Sequence, residues 1–357
     1  MKITDEKPLR SGFNMKVPRR VAVTSNTLVQ SSALLPRQSL PLMFTPITNG
    51  VDLGSWVAGN RSLIEQELAA HGGLLFRGFK VESQADFESF VDAIAITRMH
   101  YLEGATPRRE LGRQVYSSTE FSHEHRIALH NELSYTMTWP MKIAFCCLRP
   151  ASSGGETPLA DMRRVLARIP PIIRERFEEF GWMLVRNYGA GLGLPWESVF
   201  RTTSKQEVEL YCRQSAIAWE WRDGTQLRTS QIRPAIINHP IGGDPLWFNH
   251  IAFWHASSLD PETRRMLVSS FGDDRLPYNT YYGNGQVIED DVIAEINRAY
   301  DSETILFPWR KGDVIYLDNM LIAHGRSPFS GDRTVIVSMG DPYTRADVDS
   351  RPQGIRQ

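Results

Sequence analysis

Two short stretches of this 357-residue chain carry side chains that could hold a metal. The first is His130-Asn131-Glu132, inside the run Ala128-Leu129-His130-Asn131-Glu132-Leu133. In a β-strand, residues i and i+2 share a face, so this run predicts an imidazole and a carboxylate side by side, a two-point chelate for a divalent ion. The triplet alone is a common pattern, and a strand-edge histidine beside a solvated glutamate also accounts for it. The second stretch is His324, which ends the apolar run Met320-Leu321-Ile322-Ala323 and precedes the turn Gly325-Arg326-Ser327-Pro328. Two histidines and one carboxylate make the facial triad of non-haem Fe(II) oxygenases, which leaves three coordination positions open for a cosubstrate and O2. Arg333 follows nine residues after His324. A guanidinium near the distal histidine suits 2-oxoglutarate, which chelates iron through its C1 carboxylate and keto oxygen and offers its far carboxylate to a bidentate arginine.

Such side chains need strands to aim them. Gly73–Phe79 is a short apolar run bounded by glycines and predicts a buried strand. Further strands are expected at Ile127–Tyr135, Met141–Leu148, Trp182–Asn187, within Ile232–Asn238 and Leu246–Phe253, and at Val314–Leu317, Leu321–His324 and Thr334–Met339. Helical spacing of apolar residues predicts helices over Ala85–Ile94, Arg163–Phe180, Glu207–Ala216 and Ile288–Tyr300, the second interrupted by Pro170 and Pro171. Asp260-Pro261 supplies an N-cap and a first-turn proline for a helix through Phe271. Strands predominate, helices come in groups and no βαβ rhythm repeats. The expectation is a mainly β (α+β) chain with helical insertions, in one domain over residues 41–345. It is preceded by a poorly ordered or surface-wrapping arm over residues 1–40 and followed by a tail over 346–357.

Composition narrows the function. Forty Lys and Arg against 41 Asp and Glu give a net charge of −1, so no global basic field for nucleic acid or an anionic membrane exists. No stretch approaches the ~18 apolar residues that span a bilayer, and the polar segment Met1–Arg20 lacks the apolar core of a signal peptide. Three cysteines, Cys146, Cys147 and Cys212, cannot form a disulfide framework or a zinc motif, and point to a cytoplasmic protein.

The segments Gly73–Phe79, His130–Tyr135, Gly154-Gly155-Glu156-Thr157-Pro158-Leu159-Ala160-Asp161 and Leu317-Asp318-Asn319-Met320 through Arg333 resemble the taurine/2,4-dichlorophenoxyacetate dioxygenase (TauD/TfdA) superfamily. The resemblance runs from about position 44 to 342. His130-Asn131-Glu132-Leu133-Ser134-Tyr135, Val185-Arg186-Asn187-Tyr188-Gly189 and Tyr281-Tyr282-Gly283-Asn284-Gly285 look most like its SyrP-like branch, hydroxylases of nonribosomal-peptide pathways. The resemblance implies a double-stranded β-helix (jelly roll) of the clavaminate-synthase-like kind. It implies one Fe(II) held by His130, Glu132 and His324, and 2-oxoglutarate held by Arg333 with help from the Thr157 hydroxyl. Arg326, in the turn beside His324, is the competing clamp. The taurine enzyme has Asp where this chain has Glu132. It also has a second arginine, for the sulfonate, at the position of Val337, so a sulfonate substrate does not fit this chain. Related halogenases carry a small residue at the place of Glu132, so its presence favours hydroxylation over halogenation.

The reaction this implies is oxidation of an unactivated C–H, with hydroxylation first among the outcomes and desaturation or cyclisation as alternatives. The branch suggests an amino acid or amino-acid-derived substrate, free or tethered to a peptidyl carrier protein. A jelly-roll protein that binds without turnover, and a zinc hydrolase using the same three ligands, are the competing readings. The second leaves Arg333 and Thr157 unexplained. His123-Glu124-His125 reads as a solvated loop beside the site, and Asn249, in Trp247-Phe248-Asn249-His250, as core or substrate-facing.

Overall fold

The strand Thr138–Arg149 is apolar along almost its whole length because it is buried on both faces. Ile143, Phe145 and Cys147 enter one core, while Ala144 and Cys146 enter another. The computed structural model that shows this describes residues 28–345 except 37, 100–102, 104–109, 113–114, 118–120 and 190–192. Thus most of the expected N-terminal arm, through residue 27, and the tail over 346–357 lie outside the described residues. The last part of the expected arm is ordered, since Val29–Ala33 pairs with Leu42–Pro46.

Thr138–Arg149 lies inside an eight-stranded sheet. The order is Val29–Ala33, Leu42–Pro46, Gly73–Phe76, Val314–Asp318, Thr138–Arg149, Thr334–Thr344, Val115–Ser117 and Glu110–Gly112. Every pairing is antiparallel except Leu42–Pro46 with Gly73–Phe76. The helices Leu53–Gly59, Arg61–His71 and Gln84–Ile94 contribute Trp56, Ile64, Leu68, Phe87 and Phe90 to the core on one face of this sheet. Ser83 starts the third of these helices with a capping box to Asp86.

The other face contributes Phe145, Ile315, Leu317, Val335 and Val337 to the larger core. Leu159, Ala160, Ile322 and Ala323, from a three-stranded sheet, join it there. In that sheet Ile322–Arg326 runs between Ile127–His130 and Leu159–Asp161. A four-stranded sheet, ordered Ala218–Arg222, Gln226–Arg233, Trp182–Tyr188 and Tyr278–Tyr282, adds Trp182, Leu184 and Tyr282 to the same core.

Local chemistry explains where the elements differ from the expectation. The Arg163–Phe180 helix is two helices, Met162–Arg168 and Pro171–Phe180. Ile169 precedes a proline and is extended, with ψ 129°, as the ring of Pro170 requires. The strand expected within Leu246–Phe253 lies at its start, Pro245–Trp247. The Asn249 side chain accepts a hydrogen bond from Ile251 N at 3.0 Å and starts the helix Ile251–Trp254 instead. The strand expected over Ile127–Tyr135 ends at His130. Among the described residues, no helix is long and apolar enough to cross a membrane.

Candidate metal centre

His130 and His324 are cross-strand partners on neighbouring antiparallel strands, which puts their rings 4.6 Å apart. Glu132 reaches the same point by a different route from the expected strand alternation. The strand stops at His130, and the chain turns through Asn131–Tyr135, with Leu133 at φ +56°. The turn brings the Glu132 carboxylate to 3.9 Å from His324 Nε2. Donor atoms of the three residues all lie within 4.8 Å of one another, and among the described residues this is the one cluster of its kind.

The donor set fits a divalent transition metal. His130 Nδ1 is 2.8 Å from the Ala128 carbonyl, which can only accept, so Nδ1 carries the proton and Nε2 keeps its lone pair. Bonds of roughly 2.1 Å at right angles would put the donors of a facial set about 3 Å apart, so the 3.9 Å carboxylate–imidazole pair would close by about 1 Å on an ion. Two imidazoles and one carboxylate, contributed from one side, leave the opposite positions open.

The Asp318-Asn319 pair builds the floor under Glu132. Asn319 accepts from Glu132 N at 2.8 Å and donates to the Glu132 carbonyl at 2.9 Å and the Pro140 carbonyl at 2.8 Å. Asn131 donates back to the Asn319 carbonyl at 2.7 Å. Asp318 caps its own turn by accepting from Met320 N and Leu321 N, and binds Lys142 at 3.4 Å and His239 at 3.3 Å. Burial would push the Asp318 carboxyl up, but His239 and Lys142 more than offset it and hold it below the usual carboxylate range.

A pocket opens beside the two histidines. Phe145, Thr157, Arg326, Arg333, Val335 and Val337 line it. Arg333 donates through Nε to the Gly155 carbonyl at 3.0 Å. Burial first, then the neighbouring Arg326, push its guanidinium down to about 10, still cationic at neutral pH. Two cations beside one buried pocket favour an anion within it. The glycines of Gly154-Gly155-Glu156-Thr157 make the approach possible. A Cβ on Gly154 would meet the Pro328 carbonyl oxygen at 2.1 Å, and one on Gly155 would press on Arg333 Cδ at 3.0 Å. Both also have positive φ, +70° and +74°.

Thr157 and Arg326 are placed differently from each other. Trp309 Nε1, a donor only, gives its hydrogen to Thr157 Oγ1 at 3.1 Å, which leaves the hydroxyl hydrogen to point elsewhere. Arg326 donates to the carbonyls of Phe121, Ser122 and His125 and so ties down the exposed loop that contains His123-Glu124-His125. Asn249 is buried and spends its amide on the Ala235 carbonyl and Ile251 N, a structural role. Asn131, Asn319 and Trp309 were not among the expected site residues. Asn319 carried a signal, its place in the Asp-Asn motif; Trp309 carried none, because only the fold brings it to Thr157.

The chain matches the family described as "Taurine catabolism dioxygenase TauD, TfdA family" over residues 38–339. It belongs to this family of Fe(II)- and 2-oxoglutarate-dependent dioxygenases. Among its curated relatives is the dapdiamide synthesis protein DdaC of Enterobacter agglomerans, 39% identical over 291 residues, which cover 81% of this chain and 88% of that protein. A clavaminate synthase-like protein of Arabidopsis thaliana is 28% identical over 319 residues, 87% of this chain and 90% of that one. Two solved PvcB structures, one of them from Pseudomonas aeruginosa, superpose with TM-scores of 0.53 and 0.51 at 16% identity. They cover 91% and 87% of this chain and 94% and 91% of their own chains. The jelly-roll expectation agrees with the fold of these neighbours.

Proposed function

We propose that this dioxygenase oxidises an unactivated C–H of an amino acid or amino-acid-derived substrate, with hydroxylation as the outcome. The observation that carries the reading is the cluster of His130, Glu132 and His324 with Arg333 and Thr157 in the adjoining pocket. Bound Fe(II), with 2-oxoglutarate and O2, supplies the oxidant, and the cosubstrate leaves as succinate and CO2.

The chain's own residues do the rest. His130 offers Nε2, held in that tautomer by the Ala128 carbonyl. His324 and Glu132 complete one face of the metal. Asn319 fixes the Glu132 backbone through two hydrogen bonds and is itself tied to the Pro140 carbonyl by a third, so the carboxylate is aimed before any metal arrives. Arg333 takes the far carboxylate of 2-oxoglutarate, and Thr157, oriented by Trp309, donates its hydroxyl to the same group. Phe145, Val335 and Val337 keep the pocket wall apolar, which strengthens each of those bonds.

Relatives support the substrate class. DdaC is named for dapdiamide synthesis, and PvcB is described as an Fe, α-ketoglutarate-dependent oxygenase of an isonitrile synthetic pathway. The substrate is amino-acid-like, free or tethered to a peptidyl carrier protein. The test is succinate release, with product mass, against a panel of free and carrier-loaded amino acids. Fe(II)- and O2-dependent turnover with gain of one oxygen is expected. Loss of two hydrogens would instead favour desaturation or cyclisation, and hydrolysis without iron would overturn the reading.

A further inference from the structure

Arg186 lies on the strand Trp182–Tyr188, on the same face as Trp182 and Leu184, which enter the main core. It is 3% exposed. Its Nε and Nη2 atoms are buried with no hydrogen-bond partner. Nη1 donates to the Glu103 backbone carbonyl at 3.3 Å. A buried guanidinium with two orphaned nitrogens is costly, and such a group calls for an explanation. The surroundings do not provide one. Four aromatic rings surround the cation, those of Tyr188 at 4.9 Å, Tyr278 at 5.3 Å, and Tyr135 and Trp254 at 5.9 Å. Rings stabilise the charge but accept no directed hydrogen bond from both free nitrogens. The nearby Glu103 carboxylate is bonded by the Tyr211 hydroxyl rather than by Arg186, and burial pushes its carboxyl up, toward the neutral form.

The position relates Arg186 to the metal centre. Tyr135 and Trp254 pack on His250 with ring centroids 5.0 and 4.5 Å apart, and His250 packs on His130 at 5.7 Å. Two layers of rings, Tyr135 with Trp254 and then His250, therefore lie between the guanidinium and His130. Tyr135 itself ends the turn that carries Glu132.

We propose that Arg186 is the anchor for a carboxylate of the substrate, taken as a bidentate pair by Nε and Nη2 inside the cage of Tyr135, Tyr188, Trp254 and Tyr278. The inference deepens the substrate reading above and rests on it for the substrate's identity. The carboxylate supplies the two missing acceptors and the counter-charge, and the planar fork fixes its orientation. An amino-acid-like molecule anchored there is held by an end remote from the C–H to be oxidised, as positioning for the reaction requires.

Sodium acetate is the probe, because it carries the carboxylate alone. Thermal unfolding is followed in acetate and in chloride at equal ionic strength, without iron or 2-oxoglutarate. In wild type and in Arg333→Ala, acetate raises the midpoint saturably relative to chloride, as a ligand of the native state does. In Arg186→Met and Arg186→Gln that difference disappears, while circular dichroism remains native. Because two of its nitrogens are unsatisfied, replacing Arg186 by Met leaves the fold intact. No acetate effect in wild type, or an undiminished one in both variants, overturns the anchor. A second arm measures succinate release with the best substrate of the amino-acid panel. Arg186→Met raises its KM on the order of 10- to 100-fold, with the 2-oxoglutarate requirement unchanged. An unchanged substrate KM also overturns the anchor. A positive acetate arm with no active amino acid upholds the anion site and refutes the amino-acid reading instead.

Discussion

Asn319→Ala should loosen Glu132 without touching a metal donor. The Asn319 amide makes three hydrogen bonds, from Glu132 N at 2.8 Å and to the carbonyls of Glu132 at 2.9 Å and Pro140 at 2.8 Å. The residue is fully buried, so water cannot replace them. At about 1 kcal/mol net for each bond, the variant loses roughly 3 kcal/mol of stability, and more if all three backbone groups stay unpaired. The same bonds set the turn that aims the carboxylate. Removal of such an outer partner weakens metal binding by about 10- to 100-fold. Urea unfolding of the apoprotein gives the first quantity, and anaerobic calorimetric titration with Fe(II) the second. Asn319→Asp should behave like Ala, because it keeps the acceptor for Glu132 N but faces both carbonyls with an oxygen. Wild-type stability in Asn319→Ala would refute the accounting. Lost stability with unchanged Fe(II) affinity would refute the link from this amide to the Glu132 carboxylate.

Other substitutions separate the roles in the pocket. Arg333→Ala should raise the 2-oxoglutarate requirement about 10- to 100-fold with Fe(II) affinity nearly intact, and Arg333→Lys should restore it only in part; titration at fixed iron measures both. Arg326→Ala should leave that requirement near wild type and instead make the loop at residues 121–125 more susceptible to proteolysis, since Arg326 binds three of its carbonyls. Trp309→Phe should mimic a weaker Thr157→Ala, a few-fold rise in the 2-oxoglutarate requirement, because it frees the threonine hydroxyl to rotate; combining the two substitutions should add little beyond Thr157→Ala. Glu132→Ala should abolish hydroxylation while the two histidines retain weakened metal binding, checked by succinate release and Fe(II) titration.

Much of the architecture was legible because one rule governs it. Apolar runs such as Met141–Leu148 and Val314–Leu317 read as strands, and both are, buried along nearly their whole length. Cys146 and Cys147, neighbours along the first of these strands, enter different cores. The two histidines and Glu132 were legible as residue types that suit a metal, and the fold brings them together. The reason given for Glu132 was wrong. Alternation along a strand was expected to align it with His130, whereas a turn does so, held by Asn319 from a segment 187 positions away. Trp309 was illegible for the same reason, and Arg186 stood out only as part of the run Val185-Arg186-Asn187-Tyr188-Gly189, with no role attached. Their meaning lies in partners, or missing partners, that only tertiary structure brings near.

The central claim is that His130, Glu132 and His324 hold iron with open positions that accept 2-oxoglutarate. Anaerobic addition of Fe(II) and then 2-oxoglutarate to the purified protein tests it most directly. The account predicts a weak visible charge-transfer band that appears only with both, saturates at one equivalent of iron, and vanishes in His324→Ala. A colourless protein that binds the metal stoichiometrically, or a band that persists in His324→Ala, would contradict it.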